Sequence, residues 1–316
     1  MNFTTKVSIP ESHIPIDYNS NIVSLGSCFA ESMAVKFEYF KFQNIVNPFG
    51  IIFNPVSIEK VVSRAINHEQ FTEKDIFFHN ERWHCYEVHS DLSTENKEEF
   101  LNTLNSLQQS THQHITESTH IIITFGTSWI YKLKATNEAV ANCHKAPQNQ
   151  FDKEILSVET ITKSIQNTID LLQKTNPNCT IIFTISPVRH IKDGFVENQR
   201  SKAHLITAIH QIIQYPLSIV NYFPSYEILL DELRDYRFYA EDMLHPSQVA
   251  IDYIWERFTE TWISELSYTM MAEVDSIQKG LAHRPFNPNS ESHIKFADKL
   301  KMKITKLVSE YPLIKF

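Results

Sequence analysis

Two patterns of apolar residues alternate along the chain. Short β-branched and apolar runs are typical of strands buried on both faces of a sheet, and longer stretches with apolar residues every three or four positions are typical of helices. The predicted strands are residues 22–25, 45–49, 121–125, 180–185 and 218–223. The predicted helices between and after them are residues 31–40, 57–67, 157–173, 198–213 and 246–266. This alternation predicts a three-layer α/β/α fold, with a mostly parallel sheet between two layers of helices.

Two segments depart from this alternation. Residues 72–95 are rich in aromatic residues and histidine and lack a clear period, which predicts an inserted hairpin or lid. After residue 266 the pattern predicts one more helix, a loop rich in proline and asparagine, and a helix over 293–310. We therefore predict a main α/β domain over 1–266 and a C-terminal helical appendage over 267–316.

Three of the five glycines directly follow apolar runs, at Gly26, Gly50 and Gly126. A strand followed by a glycine turn is typical of the carboxyl edge of a parallel sheet, where α/β proteins gather their reactive groups. Ser27 follows the first strand, and Asp242 and His245 precede the helix predicted over 246–266. The predicted topology thus brings a serine, an aspartate and a histidine toward one edge.

These three residue types are the parts of a nucleophilic triad. A serine hydroxyl becomes a good nucleophile when an imidazole takes its proton, and a carboxylate holds that imidazole in the required tautomer. An oxyanion then needs hydrogen-bond donors. The predicted donors are the backbone N–H groups of Ser27 and Gly50 and one donor from residues 126–128.

Simpler explanations exist for each residue. Ser27 and Asp242 both precede predicted helices, where such residues are common N-caps, and Glu31 lies near the capping-box position for Ser27. Cys28 is a rival nucleophile, because a thiolate at a helix N-terminus is activated. His84 and His89, with neighbouring aromatic residues, either form a carbohydrate-stacking wall or pack a hairpin.

Composition excludes several classes of function. The net charge of -8, the pI near 6.0 and the lack of a basic cluster argue against nucleic-acid binding. No apolar run approaches the roughly 20 residues that span a bilayer, and residues 1–10 lack the apolar segment of a secretory signal. The four scattered cysteines (Cys28, Cys85, Cys143, Cys179) fit free thiols in the cytoplasm. Neither zinc-type Cys or His spacing nor a cofactor motif occurs, so we expect no metal and no cofactor.

Several ordered motifs resemble one known family. The segment Gly-Ser-Cys-Phe-Ala at 26–30 resembles the signature of the GSCFA domain family, within the SGNH/GDSL-type hydrolase superfamily. The resemblance continues through segments spread over nearly the whole chain. These are residues 47–50 with 54–55, 126–129, 142–145, 186–190, Asn198 with Ser201 and Lys202, 242–246 and 283–288.

The resemblance implies a flavodoxin-like fold with a five-stranded parallel sheet. It implies Ser27 as nucleophile, Gly50 as an oxyanion donor, and Asp242 and His245 as the rest of the triad. The superfamily's Gly-x-Asn-Asp block instead reads Gly-Thr-Ser-Trp at 126–129, so its oxyanion asparagine is missing. The predicted replacements and pocket residues are Thr127, Ser128, Asn142, His144, Arg189 and His190. His144, Arg189 and His190 are either pocket residues or ordinary solvated loop residues, and in a pocket Arg189 could bind a substrate carboxylate or sulfate bidentately.

These observations predict a serine esterase or acyltransferase. Its substrate would be a small-molecule or carbohydrate acyl ester, and O-acetyl carbohydrate is suggested by analogy within the superfamily. The alternative is a weak or inactive SGNH-like module that binds ligands or serves as a scaffold. A third hypothesis gives the C-terminal helices a role in a homo-oligomer.

Overall fold

A parallel five-stranded sheet forms the centre of the protein. The computed structural model describes residues 4–213 and 219–316. These residues form ten strands: β1 (Asn21–Gly26), β2 (Gln43–Val46), β3 (Ile76–His79), β4 (Arg82–Cys85), β5 (His120–Phe125), β6 (Trp129–Leu133), β7 (Glu138–Val140), β8 (Phe151–Ile155), β9 (Thr180–Ile185) and β10 (Val220–Phe223). The central sheet has the order β10-β9-β5-β1-β2, and all of its neighbouring strands pair in parallel.

Helices cover both faces of this sheet. The described residues form nine α-helices: α1 (Cys28–Tyr39), α2 (Pro55–Ile66), α3 (Lys97–Glu117), α4 (Val158–Thr175), α5 (Phe195–Ile212), α6 (Ser225–Glu227), α7 (Gln248–Trp262), α8 (Tyr268–Ala282) and α9 (Glu291–Glu310). Successive side chains of a strand point to opposite faces. Accordingly, Ile121 and Ile123 pack with α2 to α5, whereas Ile122 packs with α1 and α7. The predicted three-layer α/β fold is confirmed.

The ends of the predicted strands lie within two residues of the observed ends, apart from the second strand, whose end differs by three residues. The apolar run at 45–49 predicts a strand that ends near Gly50, but β2 ends at Val46. Asn47 adopts a left-handed φ of 42° and starts a turn, which removes residues 47–49 from the sheet. Of the predicted strand 218–223, Ser218 lies outside the described residues.

The long helix predicted over 246–266 is shorter than expected. It begins at Gln248, after Ser247 caps it by accepting a hydrogen bond from the Ala250 N–H. It ends at Trp262, because Ile263 leaves the helix and forms a parallel β-bridge with Ile16. The other predicted helices end within three residues of their predicted positions.

The sequence pattern missed helix α3 and a small antiparallel sheet. The inner face of α3 includes buried Gln108 and Thr111, which interrupt its apolar stripe and hide the helical period. The small sheet has the order β7-β6-β8 and begins three residues after Gly126. Its short strands contain several charged residues, so neither an apolar run nor a clear alternation marks them.

Two peripheral units complete the fold. Strands β3 and β4 form an antiparallel hairpin within the segment 72–95. Helices α8 and α9 pack on each other around Val274, Ile277 and Leu307. Tyr39 of α1 donates a hydrogen bond of 2.9 Å to Asp275 of α8, which ties this helical pair to the main body. Within the described residues, no helix has the length and apolar character required to cross a membrane.

Candidate active site

The first strand ends in a turn that only glycine can make. Gly26 has a φ of +134°, and a Cβ at this position would lie 2.1 Å from the backbone oxygen of Thr124. The Gly26 N–H donates to Asn47 Oδ1 at 2.8 Å, which joins the turn after β2 to the turn after β1. This arrangement places Ser27 between the carboxyl end of β1 and the first residue of α1.

Ser27 is the N-cap of α1, as the simpler interpretation predicts. Its Oγ accepts a hydrogen bond from the Phe29 N–H at 3.3 Å, and the residue is 1% exposed. Capping and catalysis are compatible, because the hydroxyl keeps its own proton available for donation. The cap therefore explains the position of Ser27 without excluding a chemical role.

Asp242 and His245 form a hydrogen-bonded pair in the loop before α7. Asp242 Oδ2 lies 2.6 Å from His245 Nδ1, and Asp242 Oδ1 accepts the N–H groups of Leu244 and His245 at 2.8 and 3.0 Å. These bonds, led by the His245 backbone N–H, lower the pKa of Asp242 to about 2. The aspartate is thus ionised at neutral pH, and it favours the His245 tautomer with its proton on Nδ1.

Arg189 holds this loop against the end of β9. Its N–H donates to the Leu244 carbonyl at 3.0 Å, and its Nη1 donates to the Met243 carbonyl at 3.0 Å. Its guanidinium carbon lies 5.0 Å from the ring centroids of both Phe195 and Tyr239. Arg189 therefore braces the loop that carries the Asp–His pair, whereas the sequence suggested a substrate-binding role for it.

Ser27 and the Asp–His pair are not joined by a hydrogen bond within the described residues. Ser27 Oγ is bonded to the Phe29 N–H. His245 Nε2 has no hydrogen-bond partner in the described part of the chain, and the side chain is 49% exposed. The half-exposed imidazole is therefore free to accept a proton at Nε2. The triad predicted from the sequence stays a prediction.

The oxyanion role of the backbone N–H groups stays a prediction, and each of these N–H groups is already hydrogen-bonded inside the protein. The N–H groups of Ser27, Gly50 and Gly126 donate to the carbonyl oxygens of Thr124, Asn47 and Phe53, at 3.1, 2.7 and 2.7 Å. The remaining predicted donors, on Thr127 and Ser128, are bonded as well. The Thr127 N–H donates to Phe53 O, the Thr127 hydroxyl bonds to Ser201 Oγ, and the Ser128 N–H and hydroxyl bond to Ser201.

Asn142 differs from the other proposed replacements. Its Oδ1 accepts the His144 N–H at 2.8 Å, which leaves the Nδ2 group without a hydrogen-bond partner among the described residues. The side chain lines a cleft of about 500 Å³ beside the sheet edge. Of the donors predicted from the sequence, the Asn142 amide is the one that remains free to bind a ligand oxygen.

The cleft is aromatic and basic. Thr127 and His190 form part of its wall near the sheet edge, and Trp129 and Tyr131 contribute aromatic rings. Its lysines are Lys145, Lys153 and Lys192. Lys153 pairs with Asp193, whereas the other two have no carboxylate within 4 Å among the described residues. The cleft is therefore suited to a polar ligand with an accessible flat or apolar face.

His144 lies away from this cleft, in the core of the β3–β4 hairpin. It is 3% exposed, and its Nδ1 lies 3.1 Å from Nδ1 of His84. Its Nε2 lies 2.6 Å from the carbonyl oxygen of Cys85. Burial lowers the pKa of His144 to about 4. Of the two alternatives for this segment, the geometry favours hairpin packing for His84, whereas His89 lines the cleft.

Cys28 has the properties of a packed thiol. It contacts the apolar cluster formed by α1, α7 and the end of β9. Burial, followed by the charge of Glu31, raises the pKa of its thiol. A raised pKa reduces the thiolate fraction at neutral pH, which weakens the case for Cys28 as a nucleophile. All four cysteines are free thiols.

Three buried residues of α5 had no role predicted from the sequence. Asn198 accepts the His190 N–H at 2.8 Å, Ser201 binds the loop after β5, and Lys202 donates from its ammonium to two carbonyl groups. All three lie on the inner face of an amphipathic helix. Polar residues at positions where the helical period calls for apolar ones are the signal that could have revealed them.

The partly buried, neutral His190 is expected to make the fold less stable in acid. Burial, then the charges of Lys202 and His245, lower its pKa to about 3, and its buried Nε2 has no hydrogen-bond partner in the described residues. The unfolded chain takes up this proton near pH 6.5. The neutral, partly buried His190 therefore leaves the free energy of unfolding undiminished above about pH 6.5, and that free energy falls as pH drops toward 3, by as much as about 5 kcal/mol.

Denaturant unfolding measured between pH 4 and pH 8 tests this expectation. The free energy of unfolding should depend less on pH in His190→Phe, whose ring can still pack near Phe53. The exposed His13 provides a control, since His13→Phe should keep the wild-type dependence. An unchanged slope in His190→Phe would contradict the assignment.

Together these features define an α/β protein with a serine and an Asp–His pair at the carboxyl edge of a parallel sheet. Family comparison agrees: the GSCFA family model matches residues 21–258, and the model of the GSCFA domain protein C-terminal domain matches residues 274–316. The chain therefore belongs to the GSCFA family.

Solved structures provide a further comparison. An acetyl xylan esterase from the rumen bacterium Butyrivibrio proteoclasticus has a similar structure, with a TM-score of 0.42 and 11% sequence identity. The match covers 79% of this chain and 66% of the esterase, just under two thirds of its length. No curated protein matches the sequence.

Proposed function

We propose that the protein is a serine esterase or acyltransferase that acts on O-acyl esters. The observation that carries this proposal is the 2.6 Å contact between Asp242 Oδ2 and His245 Nδ1, with His245 Nε2 left free. The pair lies in a loop that Arg189 anchors to the end of β9, two strands from the serine at the end of β1. A serine hydroxyl and an oriented imidazole are the groups that acyl transfer requires.

The proposed reaction has two steps. Ser27 Oγ attacks the acyl carbon while His245 Nε2 takes the hydroxyl proton, and the alcohol then leaves with that proton as the acyl-serine forms. Water or a second alcohol next attacks the acyl-serine and gives its proton to His245. His245 then returns a proton to Ser27 Oγ as the acyl–oxygen bond breaks, and the carboxylic acid or the new ester leaves. Asp242 stays ionised throughout and stabilises the imidazolium. The half-exposed His245 must move to Ser27, as catalytic contacts often tighten only when substrate binds.

The cleft beside the sheet edge is the proposed binding site for the substrate. Asn142 offers a free amide donor there, and Trp129 and Tyr131 offer ring surface. These groups support a polar substrate such as an O-acetyl carbohydrate. The substrate class is the most specific part of the proposal, and it depends on the cleft alone.

The occupied oxyanion donors favour a second candidate function. Because the predicted backbone N–H groups are bonded within the protein, the site could bind an acyl ester and turn it over slowly or not at all. Such a binding module would show saturable ligand binding without product release over a broad ester panel.

Covalent trapping tests the proposed function. A fluorophosphonate should add stoichiometrically to the native protein, and fragmentation of the peptide spanning residues 7–36 should place the adduct on Ser27. Prior alkylation of free thiols should leave the labelling unchanged, which separates Ser27 from Cys28. Heat-unfolded protein serves as the control and should remain unlabelled. An adduct on Cys28, or no adduct on native protein, would refute the assignment.

A further inference from the structure

A lysine is fully buried beneath the candidate active site. Lys202 of α5 is 1% exposed. Its Nζ donates to the carbonyl oxygen of Gly126 at 2.7 Å and to that of Ser186 at 2.6 Å. Gly126 directly follows β5, and Ser186 directly follows β9. One ammonium group therefore links the carboxyl ends of two neighbouring strands of the central sheet.

This cation has no ion-pair partner. No carboxylate lies within 4 Å of Lys202 Nζ in the described part of the chain. The Tyr226 ring lies below it with its centroid at 5.4 Å, and Glu227 is hydrogen-bonded to Tyr222. A buried charge without a counter-charge costs several kcal/mol. A neutral donor could make the same two hydrogen bonds to carbonyl groups without the free-energy cost of burying a charge, so stability alone does not explain a lysine here.

The charge of Lys202 reaches both sides of the site. It acts to lower the pKa of Cys28, the residue after the candidate nucleophile, and that of His190, in the loop after β9. Electrostatic effects of this kind act strongly where water is excluded. Negative charge that develops near Ser27 would be stabilised by the same field.

We infer that Lys202 is a positioning residue for acyl transfer. It holds the turns after β5 and β9 together, and it supplies positive potential that the N–H groups, already bonded within the protein, cannot supply. This inference rests on the proposed function. An acyl-transfer intermediate carries a full negative charge on oxygen, and preorganised positive charge aimed at that oxygen is a major source of rate. Lys202 would act on it through the field and through the loops it holds.

The inference predicts an alkaline decline in activity. The titratable groups that face Lys202 are Cys28 on α1, His190 after β9, and Tyr226 and Glu227 on α6. Burial lowers the pKa of Lys202 to about 7, against weaker opposing effects of Cys28 and Glu227. The positive charge is therefore present below about pH 7 and is lost as pH rises through that value.

Steady-state hydrolysis of a neutral acetyl ester between pH 5.5 and pH 9.5 tests the inference. The wild type should lose kcat above about pH 7. Lys202→Met should lower kcat at pH 6.5 by about 10²-fold, change KM little, and abolish the alkaline decline. Lys202→Arg keeps its charge throughout this range, so it should retain more kcat than Lys202→Met and show no alkaline decline. Lys163→Met, at an exposed position of α4, is the control and should match the wild type.

Each outcome decides a separate question. An active wild type with no decline through pH 7, or a Lys202→Met variant that keeps wild-type kcat or the same decline, overturns the inference and leaves the proposed function standing. A wild type that neither hydrolyses esters nor reacts with fluorophosphonate at Ser27 overturns the proposed function and the inference with it. The wild-type profile decides the matter without any variant if Lys202→Met fails to fold.

Discussion

Ser27→Ala should lower kcat for a short acyl nitrophenyl ester by on the order of 10⁴- to 10⁶-fold. The alanine lacks the oxygen that would carry the acyl group, so hydrolysis through an acyl-enzyme becomes impossible. Residual turnover would come from substrate binding alone. KM should change little, since the hydroxyl is buried under the turn after β1 and offers little contact to bound substrate.

The same change removes a helix cap, which a control must separate from catalysis. Loss of a serine N-cap costs about 0.5–2 kcal/mol, and Ser27 caps α1 through the Phe29 N–H. Ser157 caps α4 with its Oγ 3.2 Å from the Thr160 nitrogen, and it is not among the residues that line the cleft. Ser157→Ala should therefore lose comparable stability and keep full activity.

Cys28→Ala provides the second comparison. Because burial raises the pKa of the Cys28 thiol, this variant should retain most of the wild-type kcat. If Cys28→Ala lost activity while Ser27→Ala kept it, the thiol would be the nucleophile. If both variants matched a wild type that turns substrate over, acyl transfer at this turn would be refuted.

Asp242→Asn should lower kcat by about 10⁴-fold, the scale seen when the triad aspartate of a serine protease is replaced by asparagine. The asparagine oxygen can still accept the Leu244 and His245 N–H groups, so the loop should keep its shape. Its NH₂ group would face His245 Nδ1 and would force the imidazole proton onto Nε2. In that tautomer Nε2 cannot accept the proton of Ser27.

Asp235→Asn is a matched control for this change. Asp235 also accepts a backbone N–H two residues ahead and a side-chain donor, both from Arg237, at 2.9 and 2.8 Å. Among the described residues it forms no hydrogen bond or ion pair with a histidine, so its replacement should leave kcat unchanged. Both variants should unfold near the wild-type denaturant midpoint, because both aspartate side chains are 44% exposed and the asparagine oxygen can keep the backbone hydrogen bonds.

The low pKa of Asp242 adds a check on pH dependence. Since that pKa lies at about 2, Asp242 stays ionised down to about pH 3, and any fall in activity between pH 7 and pH 4 must come from other groups. Equal kcat values for Asp242→Asn and wild type, with ester hydrolysis intact, would show that the Asp–His pair has no part in turnover.

Local patterns carried much of the fold prediction. The apolar runs at β1, β5 and β9 and the periodicity of α2 and α4 are visible in the sequence, because strand and helix periods depend on near neighbours. The contact between Asp242 and His245 was also predictable, since a separation of three residues in a turn brings both side chains together. The sequence likewise indicated that Ser27 follows the first strand.

Long-range contacts decided the rest. The Ser27 and Gly126 N–H groups donate to the carbonyl oxygens of Thr124 and Phe53, which are distant in sequence. No local motif could therefore show that these donors already have partners. The sequence suggested Arg189 as a substrate ligand, whereas in the fold its guanidinium donates to the Met243 carbonyl. In the sequence Lys202 resembles an ordinary helix lysine, whereas in the fold its ammonium donates to carbonyl groups at the ends of β5 and β9. The sequence by itself determined which groups reach the sheet edge. Only the tertiary structure decided which of those groups lack a hydrogen-bond partner there, because the partners come from segments that are distant in sequence.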